Sequence, residues 1–356
     1  MSPRVSLVDA GYRAVLRPLL FGSHHGDPEG VHEAMIGTLA RFSRSPGVVS
    51  AVRLLAGSRG APTTVAGIDF PGRVGLAAGM DKDGRAVLAW QALGFGFAEL
   101  GTVTAQAQPG NDKPRVFRLR KSTALINRMG FNNAGAARLH RELSLLGVYR
   151  GNEGAGIPIG ISIGKTKVVP VEDAVDDYLT SLEMVLPHAD YVAINVSSPN
   201  TPGLRSLQDG GALLTLLKAL AGAADGRAPL FVKIAPDLTE PQIDEVLAAA
   251  GDAGVAGLIA TNTTLARDRL DPADQHLAAE AGGLSGAPLT RRAREVVGYL
   301  TRNTDLPVIA AGGIMTADDA SVMFDRGAAL VQLYTGFVYA GPALAARINA
   351  LTRRDR

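Results

Sequence analysis

The sequence predicts an α/β protein: a single (β/α)8 TIM barrel at residues 61–356, preceded by an N-terminal helical extension at residues 1–60. From about residue 70, eight short apolar runs alternate with amphipathic patterns that are typical of helices. Repeated β-then-α units indicate parallel strands joined by right-handed crossovers. Eight such units in roughly 290 residues match the usual size of this barrel. A doubly wound open sheet is the alternative, but no GxGxxG turn follows the first strand.

The predicted strands are rich in Val, Ile and Leu without clean polar alternation, as expected for strands buried on both faces. Their ranges are Val74–Ala78, Phe97–Gly101, Pro158–Ile163, Tyr191–Val196, Leu230–Ala235, Gly257–Thr261, Pro307–Ala311 and Ala329–Tyr334. Helical patterns lie between them, for example at Ala174–Leu186, Ala212–Leu220 and Ile243–Ala250.

The stretch Gly327–Ala346 carries no charge and is about as long as a membrane-spanning helix requires. Gly336, Gly341 and Pro342 interrupt it, however, and such residues suit a helix interior poorly. We therefore predict a buried strand, a loop and the start of a helix there. The stretch Thr104–Asn133, between the second and third strands, is predicted to be a long connection without helix, of a kind that is often functional.

Composition excludes several classes of function. The formal net charge of +2 gives no strong attraction for nucleic acid. The chain has no cysteine, which excludes disulfides, thiolate metal sites and a cysteine nucleophile. No HxH spacing suggests a metal site. We therefore expect neither a nucleic-acid partner nor a metal.

The first 60 residues differ from the rest of the chain. Apolar residues cluster around Pro18, and Asp27 followed by Pro28 predicts a helix start. The segment contains seven arginines and four acidic residues, so it is basic. No continuous apolar run indicates a signal peptide. These helices could cap the bottom of the barrel, or they could form a basic, apolar-faced pair that rests on an anionic membrane.

Polar residues gather at the predicted C-terminal strand ends, which is where barrels place their chemistry. Lys233 stands between apolar neighbours, and a lysine in such a strand is costly unless it meets an anion or another partner. Asparagines, lysines and hydroxyls meeting at one mouth indicate a site for a planar, amide-rich, anionic ligand. Gly282–Gly286 and Ala311–Gly313 are either turns or a backbone cradle for phosphate. By themselves, a lone histidine on a helical face, such as His32, and a buried strand residue, such as Tyr334, are more often structural.

Several segments resemble the signature motifs of the dihydroorotate dehydrogenase family. They are Ala78–Lys82, Asn127–Phe131, Asn195–Arg205, Lys233–Asp237 and Thr261–Thr264. The resemblance runs over nearly the whole chain. The soluble class of the family uses a cysteine base, whereas the quinone-reducing class uses serine and carries an N-terminal helical extension. Ser198 stands at that position, so the resemblance implies the quinone-reducing class.

The resemblance also implies an FMN cofactor and specific site residues. The FMN contacts would be Ala78, Gly79, Met80, Asp81, Lys82, Thr102, Ser162, Asn195, Lys233, Thr261, Gly286, Gly313, Tyr334 and Thr335. The dihydroorotate or orotate contacts would be Lys82, Asn127, Arg128, Met129, Gly130, Phe131, Asn195, Asn200, Asn262 and Thr263. The quinone contacts would be His32, Arg118 and Tyr334, and catalysis would rest on Ser198, Thr201 and Lys233. The family usually has asparagine where this chain has Ser162.

The implied reaction is the oxidation of dihydroorotate to orotate, with Ser198 as the base and Thr201 in its proton relay. Electrons would pass through FMN to a membrane quinone, in pyrimidine (UMP) biosynthesis. The expected location is peripheral, on the cytoplasmic side of the cell membrane, and a monomer is favoured. The alternatives are another FMN barrel such as a dihydrouridine synthase, which would want a basic face and a cysteine acid, or a non-catalytic flavin-binding protein.

Overall fold

The computed structural model describes residues 3–56 and 60–353, and its centre is a closed barrel of eight parallel strands. The strand order around the barrel is β10-β12-β13-β3-β4-β7-β8-β9. The strands, in chain order, are β1 Thr63–Val65, β2 Ile68–Phe70, β3 Val74–Leu76, β4 Phe97–Val103, β5 Val116–Leu119, β6 Ala124–Asn127, β7 Ile159–Ile163, β8 Tyr191–Asn195, β9 Leu230–Ile234, β10 Gly257–Ala260, β11 Gly283–Gly286, β12 Val308–Ala311 and β13 Leu330–Leu333. The barrel prediction is confirmed, as is each of its eight strands.

Helices surround the barrel and precede it. They are α1 Pro3–Gly11, α2 Arg17–Gly22, α3 Pro28–Phe42, α4 Pro46–Ala56, α5 Ala136–Leu145, α6 Ala174–Val185, α7 Gly210–Ala224, α8 Glu240–Asp252, α9 Thr290–Asn303, α10 Ala317–Asp325, α11 Thr335–Ala340 and α12 Ala343–Thr352. The three helices predicted as examples match α6, α7 and α8. In the described part of the chain, no helix is both long and apolar enough to cross a membrane.

The barrel interior is filled in layers, because alternate residues of each strand point inward. The layer at the N-terminal end is apolar and includes Phe97, Tyr191 and Phe231. The β1–β2 hairpin closes this end, and the ring of Phe70 packs edge-on against that of Phe97 at 5.2 Å. The bottom of the barrel is thus covered by this hairpin, so the expectation that the N-terminal helices might cap it is wrong.

The long connection after β4 is not free of regular structure. Strands β5 and β6 form an antiparallel hairpin, and β11 pairs with β6 to complete a three-stranded sheet. The glycine-rich segment Gly283–Gly286 is thus a strand, where the sequence was expected to form a turn or a loop-like cradle. At the end of the barrel, the predicted loop after β13 is instead the short helix α11.

Helix α3 is held against the segment that precedes β5. Asp27 caps α3 by accepting hydrogen bonds from the backbone of Glu29 and Gly30, as the sequence predicted. Glu29 then forms a buried ion pair with Arg115, at 2.8 Å, in the segment that leads to β5. Burial opposes ionisation of Glu29, but hydrogen bonds from Arg115 and Lys113 outweigh it and lower the pKa of its carboxyl. This pair fastens α3 to the insertion beside the barrel mouth.

Candidate active site

One cavity lies at the C-terminal ends of the barrel strands and extends under the β5–β6–β11 sheet. It collects most of the residues that the sequence singled out. Those that line it are Ala78, Gly79, Lys82, Thr102, Asn127, Met129, Gly130, Phe131, Asn195, Ser198, Asn200, Lys233, Thr261, Asn262, Thr263, Gly286, Gly313, Tyr334 and Thr335. These residues lie far apart in the sequence, and the barrel topology brings them together.

Lys233 lies at the floor of the cavity and meets a carboxylate that the sequence analysis did not single out. Its ammonium group is 3.2 Å from Glu99, which is completely buried in β4. The same carboxylate accepts hydrogen bonds from the hydroxyl of Tyr191 (3.0 Å) and the amide of Gln332 (2.6 Å). A buried charge is tolerated when it is paired and hydrogen-bonded in this way. Glu99 therefore supplies the anion that the buried lysine requires.

Above this layer, Asn195 joins three strand ends through its side-chain amide. Its nitrogen donates to Thr102 Oγ1 at 3.0 Å, and its oxygen accepts from the Ser197 hydroxyl at 3.0 Å and from Asn262 at 3.3 Å. Asn262 also donates to Ser197 Oγ at 2.9 Å. These mutual bonds fix the orientation of both amides before any ligand arrives, which reduces the ordering cost of binding.

The roof of the cavity comes from two loops linked by another asparagine pair. Asn200, in the loop after β8, donates to the side-chain oxygen of Asn127 at 3.3 Å and to its carbonyl at 3.1 Å. Asn127 ends β6, so this contact links the loop after β8 to the inserted sheet. The two predicted substrate ligands thus face the same space from opposite walls.

The loops after β8 and β10 are joined by a residue with no role in the sequence predictions. Arg205 donates to the carbonyls of Ser197 (3.0 Å) and Thr263 (3.2 Å) and forms an ion pair with Asp237 at 2.9 Å. Arg205 and Asp237 both end motifs used for the family resemblance, which was the only signal for them. Their contacts indicate a positioning role.

Ser198 lines the cavity, with its hydroxyl oxygen accepting from the backbone of Asn200 at 3.3 Å. Thr201, in the same loop, does not line the cavity and is buried to 4% exposure. Its hydroxyl oxygen has no hydrogen-bond partner among the described residues. Buried hydroxyls are nearly always bonded, to protein or to water, so this group is available for a further partner.

Four predicted ligands have side chains that do not line the cavity. Met80 lies in the core, and Asp81 accepts from Trp90 at 3.0 Å, with burial raising the pKa of its carboxyl to about 6. Arg128 pairs with Glu280 at 2.6 Å on the outside of the sheet. Ser162 lies one layer back, where it contacts Thr102 and not the cavity itself; the two hydroxyl oxygens are 2.9 Å apart. Sequence resemblance did not reveal these orientations.

Lys82 is the second cation of the cavity and hydrogen-bonds to Asn132. Burial, with a contribution from the charge on Arg115, lowers the pKa of its ammonium group to about 8. An anionic ligand beside it would favour the charged form. Burial and the nearby Lys82 charge lower the pKa of the His32 imidazole to about 4, so this histidine is neutral at pH 7.

The predicted quinone residues lie at different places: Tyr334 on the cavity wall, Arg118 in β5 and His32 on the N-terminal helix α3. Tyr334 lines the cavity and packs beside an apolar cluster of Phe21, Leu125 and Tyr339. Arg118 does not reach the cavity, and its guanidinium lies 4.0 Å from the centre of the Phe21 ring. His32, on α3, also does not line it. The cluster thus connects α2 to the cavity wall through apolar side chains.

Further residues line the cavity that sequence reasoning missed, and only Ser285 and Gln332 among them have polar side chains. The further residues are Ala77, Val116, Leu125, Ser285, Leu289, Ala311, Gly312, Ile314, Gln332 and Gly336. Most are apolar or small, so they exclude water and leave room for a flat ligand. Apolar walls with a few convergent polar groups are typical of cofactor and substrate sites. Fold and cavity together define a (β/α)8 barrel with a cavity at its mouth that is lined by amides, hydroxyls and two lysines.

Comparison with known proteins identifies the family within that class. The model of the family described as dihydroorotate dehydrogenase matches residues 61–353, and this chain belongs to that family. A dihydroorotate dehydrogenase (quinone) from Salinispora arenicola is 56% identical over 344 residues, which are 96% of this chain and 99% of that protein. One from Chloroflexus aurantiacus is 54% identical over 350 residues, 95% of each chain.

Solved structures agree with the fold. A crystal structure of ligand-free DHODH from Eimeria tenella superposes with a TM-score of 0.82 at 36% identity, covering 91% of this chain and 93% of that one. The complex of the Eimeria tenella protein with ferulenol gives 0.80 at 34% identity, covering 91% and 90%. The chain is therefore an oxidoreductase of the dihydroorotate dehydrogenase family, and its relatives are of the quinone-dependent type.

Proposed function

We propose that this protein oxidises (S)-dihydroorotate to orotate with bound FMN and passes the electrons to a membrane quinone, as a step of de novo pyrimidine (UMP) biosynthesis. The observation that carries the proposal is the convergence of Ser198, Lys82 and four asparagines on one cavity, with Lys233 on its floor. The reaction needs a base, a clamp for a carboxylate and two amides, and a cation beside an electron acceptor. All of these groups line the same space.

The residues present fit an FMN group. Gly286 and Gly313 line the cavity with positive φ values, and a Cβ on either would lie within 2.4 Å of neighbouring backbone. Such bare backbone suits a phosphate, and Gly313 follows β12, the seventh barrel strand, after which barrels often hold one. Gln332 lines the floor with a buried Oε1 that lacks a partner among the described residues, so it is available to a ligand N–H. Bound FMN would supply the two-electron acceptor.

The proposed FMN ligands are distributed around the cavity in three groups. Thr102, Asn195 and Lys233 would hold the ring system, Gly286, Gly313, Tyr334 and Thr335 the phosphate end, and Ala78, Gly79 and Thr261 the remaining edge. Met80, Asp81 and Ser162 were also expected to bind FMN. Their side chains are directed elsewhere, so in the proposal they support the loops that carry the ligands.

The substrate would lie between Lys82 and the asparagines. Lys82 would bind the carboxylate, and Asn127, Asn195, Asn200 and Asn262 would bind the ring amides. Because these amides already hydrogen-bond to each other, they hold the substrate in one orientation with little rearrangement. The backbone of Met129 to Phe131 and the side chain of Thr263 would complete the walls.

Ser198 would take the proton from C5 of dihydroorotate. A serine hydroxyl is a weak base, so its proton has to move on as it accepts another. The unpaired hydroxyl of Thr201, buried in the same loop as Ser198, is suited to pass that proton through an ordered water. Lys233, held by Glu99, would stabilise negative charge that develops on the electron-accepting ring.

Quinone would reach the cavity from the side of the N-terminal helices. In the described residues, eight of the thirteen exposed large apolar side chains lie within residues 3–56: Leu7, Val15, Leu16, Leu19, Phe42, Val48, Leu54 and Leu55. Together with the arginines of this segment, they would give a peripheral contact with an anionic membrane, expected on its cytoplasmic side. Phe21, Arg118, His32 and Tyr334 would then lie along the path of the quinone.

Steady-state turnover tests the proposal. Orotate formation from dihydroorotate should be rapid with a short-tailed quinone and negligible with fumarate or NAD. Leu16→Ser/Leu19→Ser should keep this rate but lose the stimulation that anionic vesicles give with a long-tailed quinone, because both side chains are exposed. Leu145→Ser/Val168→Ser, which changes exposed apolar residues on the barrel, is the matched control. Equal vesicle effects in both variants would contradict the membrane role, and no orotate with quinone would contradict the reaction.

A further inference from the structure

We propose that a second, basic groove on the outside of the barrel top binds a small phosphoryl anion such as pyrophosphate or a nucleoside polyphosphate. Four arginines line it: Arg269, Arg291, Arg294 and Arg326. Glu295 is the one carboxylate among the residues that line it in the described part of the chain. The arginines come from the loop after β10, from α9 and from the end of α10, so the fold assembles the cluster from separate segments.

The groove has more positive charge than its own partners neutralise. Arg291 forms an exposed pair with Glu295 at 3.5 Å, and Arg294 pairs with Asp319 at 2.6 Å. Arg269 and Arg326 form no ion pair among the described residues. Four like charges in one concavity repel each other unless an anion is bound.

Arg294 is held in place and still has one polar atom without a hydrogen-bond partner among the described residues. Asp319 caps α10, where one carboxylate oxygen accepts from the backbone of Thr316 at 2.8 Å and the other accepts from Arg294. Arg294 is thereby fixed against α10, and its Nε is buried without a partner among the described residues. Arg326 lies beside another cation: Arg326 and Arg302 both approach within 3.3 Å of the position that a Cβ on Gly298 would take.

The chemistry of the groove favours phosphate over a carboxylate. Guanidinium groups present planar pairs of N–H donors that match phosphate oxygens, and several of them can share one phosphoryl group. Two of the four arginines have a carboxylate partner, so the excess of two positive groups suits an anion with two or more charges better than a monocarboxylate. The neighbouring groove shares Arg269 and Arg291, but its two aspartates offset two of its three arginines. Weaker binding is therefore expected there.

The groove and the active-site cavity share a wall. Ala287, Pro288 and Thr290 line the groove, while the alternating neighbours Gly286 and Leu289 line the cavity. The hydroxyl of Thr290 donates to the carbonyl of Gly313 at 2.7 Å. An anion that orders the groove side of this segment would therefore also order the bare backbone that faces the cavity, and it would slow release of a ligand held there.

Pyrophosphate is the probe for the test, added to the holoenzyme as purified. Isothermal titration should show one binding event in the wild type. In Arg291→Gln/Arg326→Gln it should weaken by about tenfold or more, because each charge-assisted hydrogen bond contributes roughly a factor of ten. Arg138→Gln/Arg141→Gln is the control: it removes two arginines from a different basic groove, between α3 and α5. The control should bind pyrophosphate as the wild type does.

Two further results would overturn the proposal. One is equal binding in both double variants, which would indicate general screening or binding in the active-site cavity. The other is reproduction of the heat by sodium chloride at matched ionic strength. Flavin release, followed by fluorescence, is the second readout: pyrophosphate should slow it in the wild type and the control but not in Arg291→Gln/Arg326→Gln. Unchanged release in the wild type would show that the shared wall does not couple the two sites.

Discussion

Replacing Glu99 by Gln removes the buried carboxylate beneath the active-site cavity while nearly keeping its shape. Three donors point at this carboxylate: Lys233 at 3.2 Å, Tyr191 at 3.0 Å and Gln332 at 2.6 Å. A glutamine amide has only one oxygen that can accept. Its nitrogen is a hydrogen-bond donor, and it would face the donors that now bind the carboxylate. The substitution therefore leaves a buried cation without a counter-charge and at least one N–H or O–H without an acceptor.

The expected cost is about 3–5 kcal/mol in the free energy of unfolding, because removing one partner of a buried ion pair leaves the other uncompensated. Tyr191→Phe takes away a single hydrogen bond to the same carboxylate and should cost only about 1 kcal/mol. Glu99→Gln/Lys233→Met removes both charges, so it should cost less than Glu99→Gln alone.

Urea unfolding at pH 7, followed by circular dichroism, measures these free energies in protein stripped of flavin, so that cofactor binding does not contribute. The denaturant slopes should be equal, which shows that the variants unfold to the same extent. A cost below about 1 kcal/mol for Glu99→Gln would refute the ion-pair reasoning. A Glu99→Gln/Lys233→Met variant that is less stable than Glu99→Gln would also refute it.

The remaining predictions concern the catalytic base, the flavin and pH. Ser198→Ala should keep flavin and bind orotate but slow anaerobic flavin reduction by about 10²–10⁴-fold, and a near-normal stopped-flow rate would exclude this base. Ser162→Asn should retain FMN and lower its dissociation constant relative to Ser162→Ala, as measured by flavin fluorescence; loss of flavin would show that no room exists beside Thr102. Because the pKa of His32 is about 4 when folded and 6.5 in its ordinary state, its stabilising contribution is complete above pH 6.5 and declines as the pH falls towards 4. The urea midpoint of wild type should therefore fall more than that of His32→Gln over this range, and parallel curves would contradict a buried neutral histidine.

The barrel was predictable because its strands are continuous apolar runs with helical patterns between them. The inserted sheet was not. Gly283–Gly286 is a strand that pairs with β6, although two glycines in four residues are typical of a turn. Its hydrogen bonds come from a partner some 160 residues away, and no local pattern in the sequence records such a pairing.

The site was predictable where its residues stand at strand ends and less so inside the barrel. Lys233 was recognised as a buried cation, yet its partner Glu99 passed unnoticed within an equally apolar strand. Both side chains fall two residues after a phenylalanine of the lowest layer, Phe97 or Phe231, so strand alternation puts them in the same layer. The orientation of side chains such as Asp81, which turns to Trp90, depends on packing that spacing alone does not determine.

Anaerobic half-reactions test the central claim most directly. We predict that the purified protein shows a flavin spectrum, that dihydroorotate bleaches it in the absence of oxygen, and that a quinone restores it. Fumarate and NAD should leave the bleached protein unchanged. A protein that holds no flavin, a flavin spectrum that dihydroorotate leaves unbleached, or recovery with fumarate or NAD and not with quinone, would contradict the assignment.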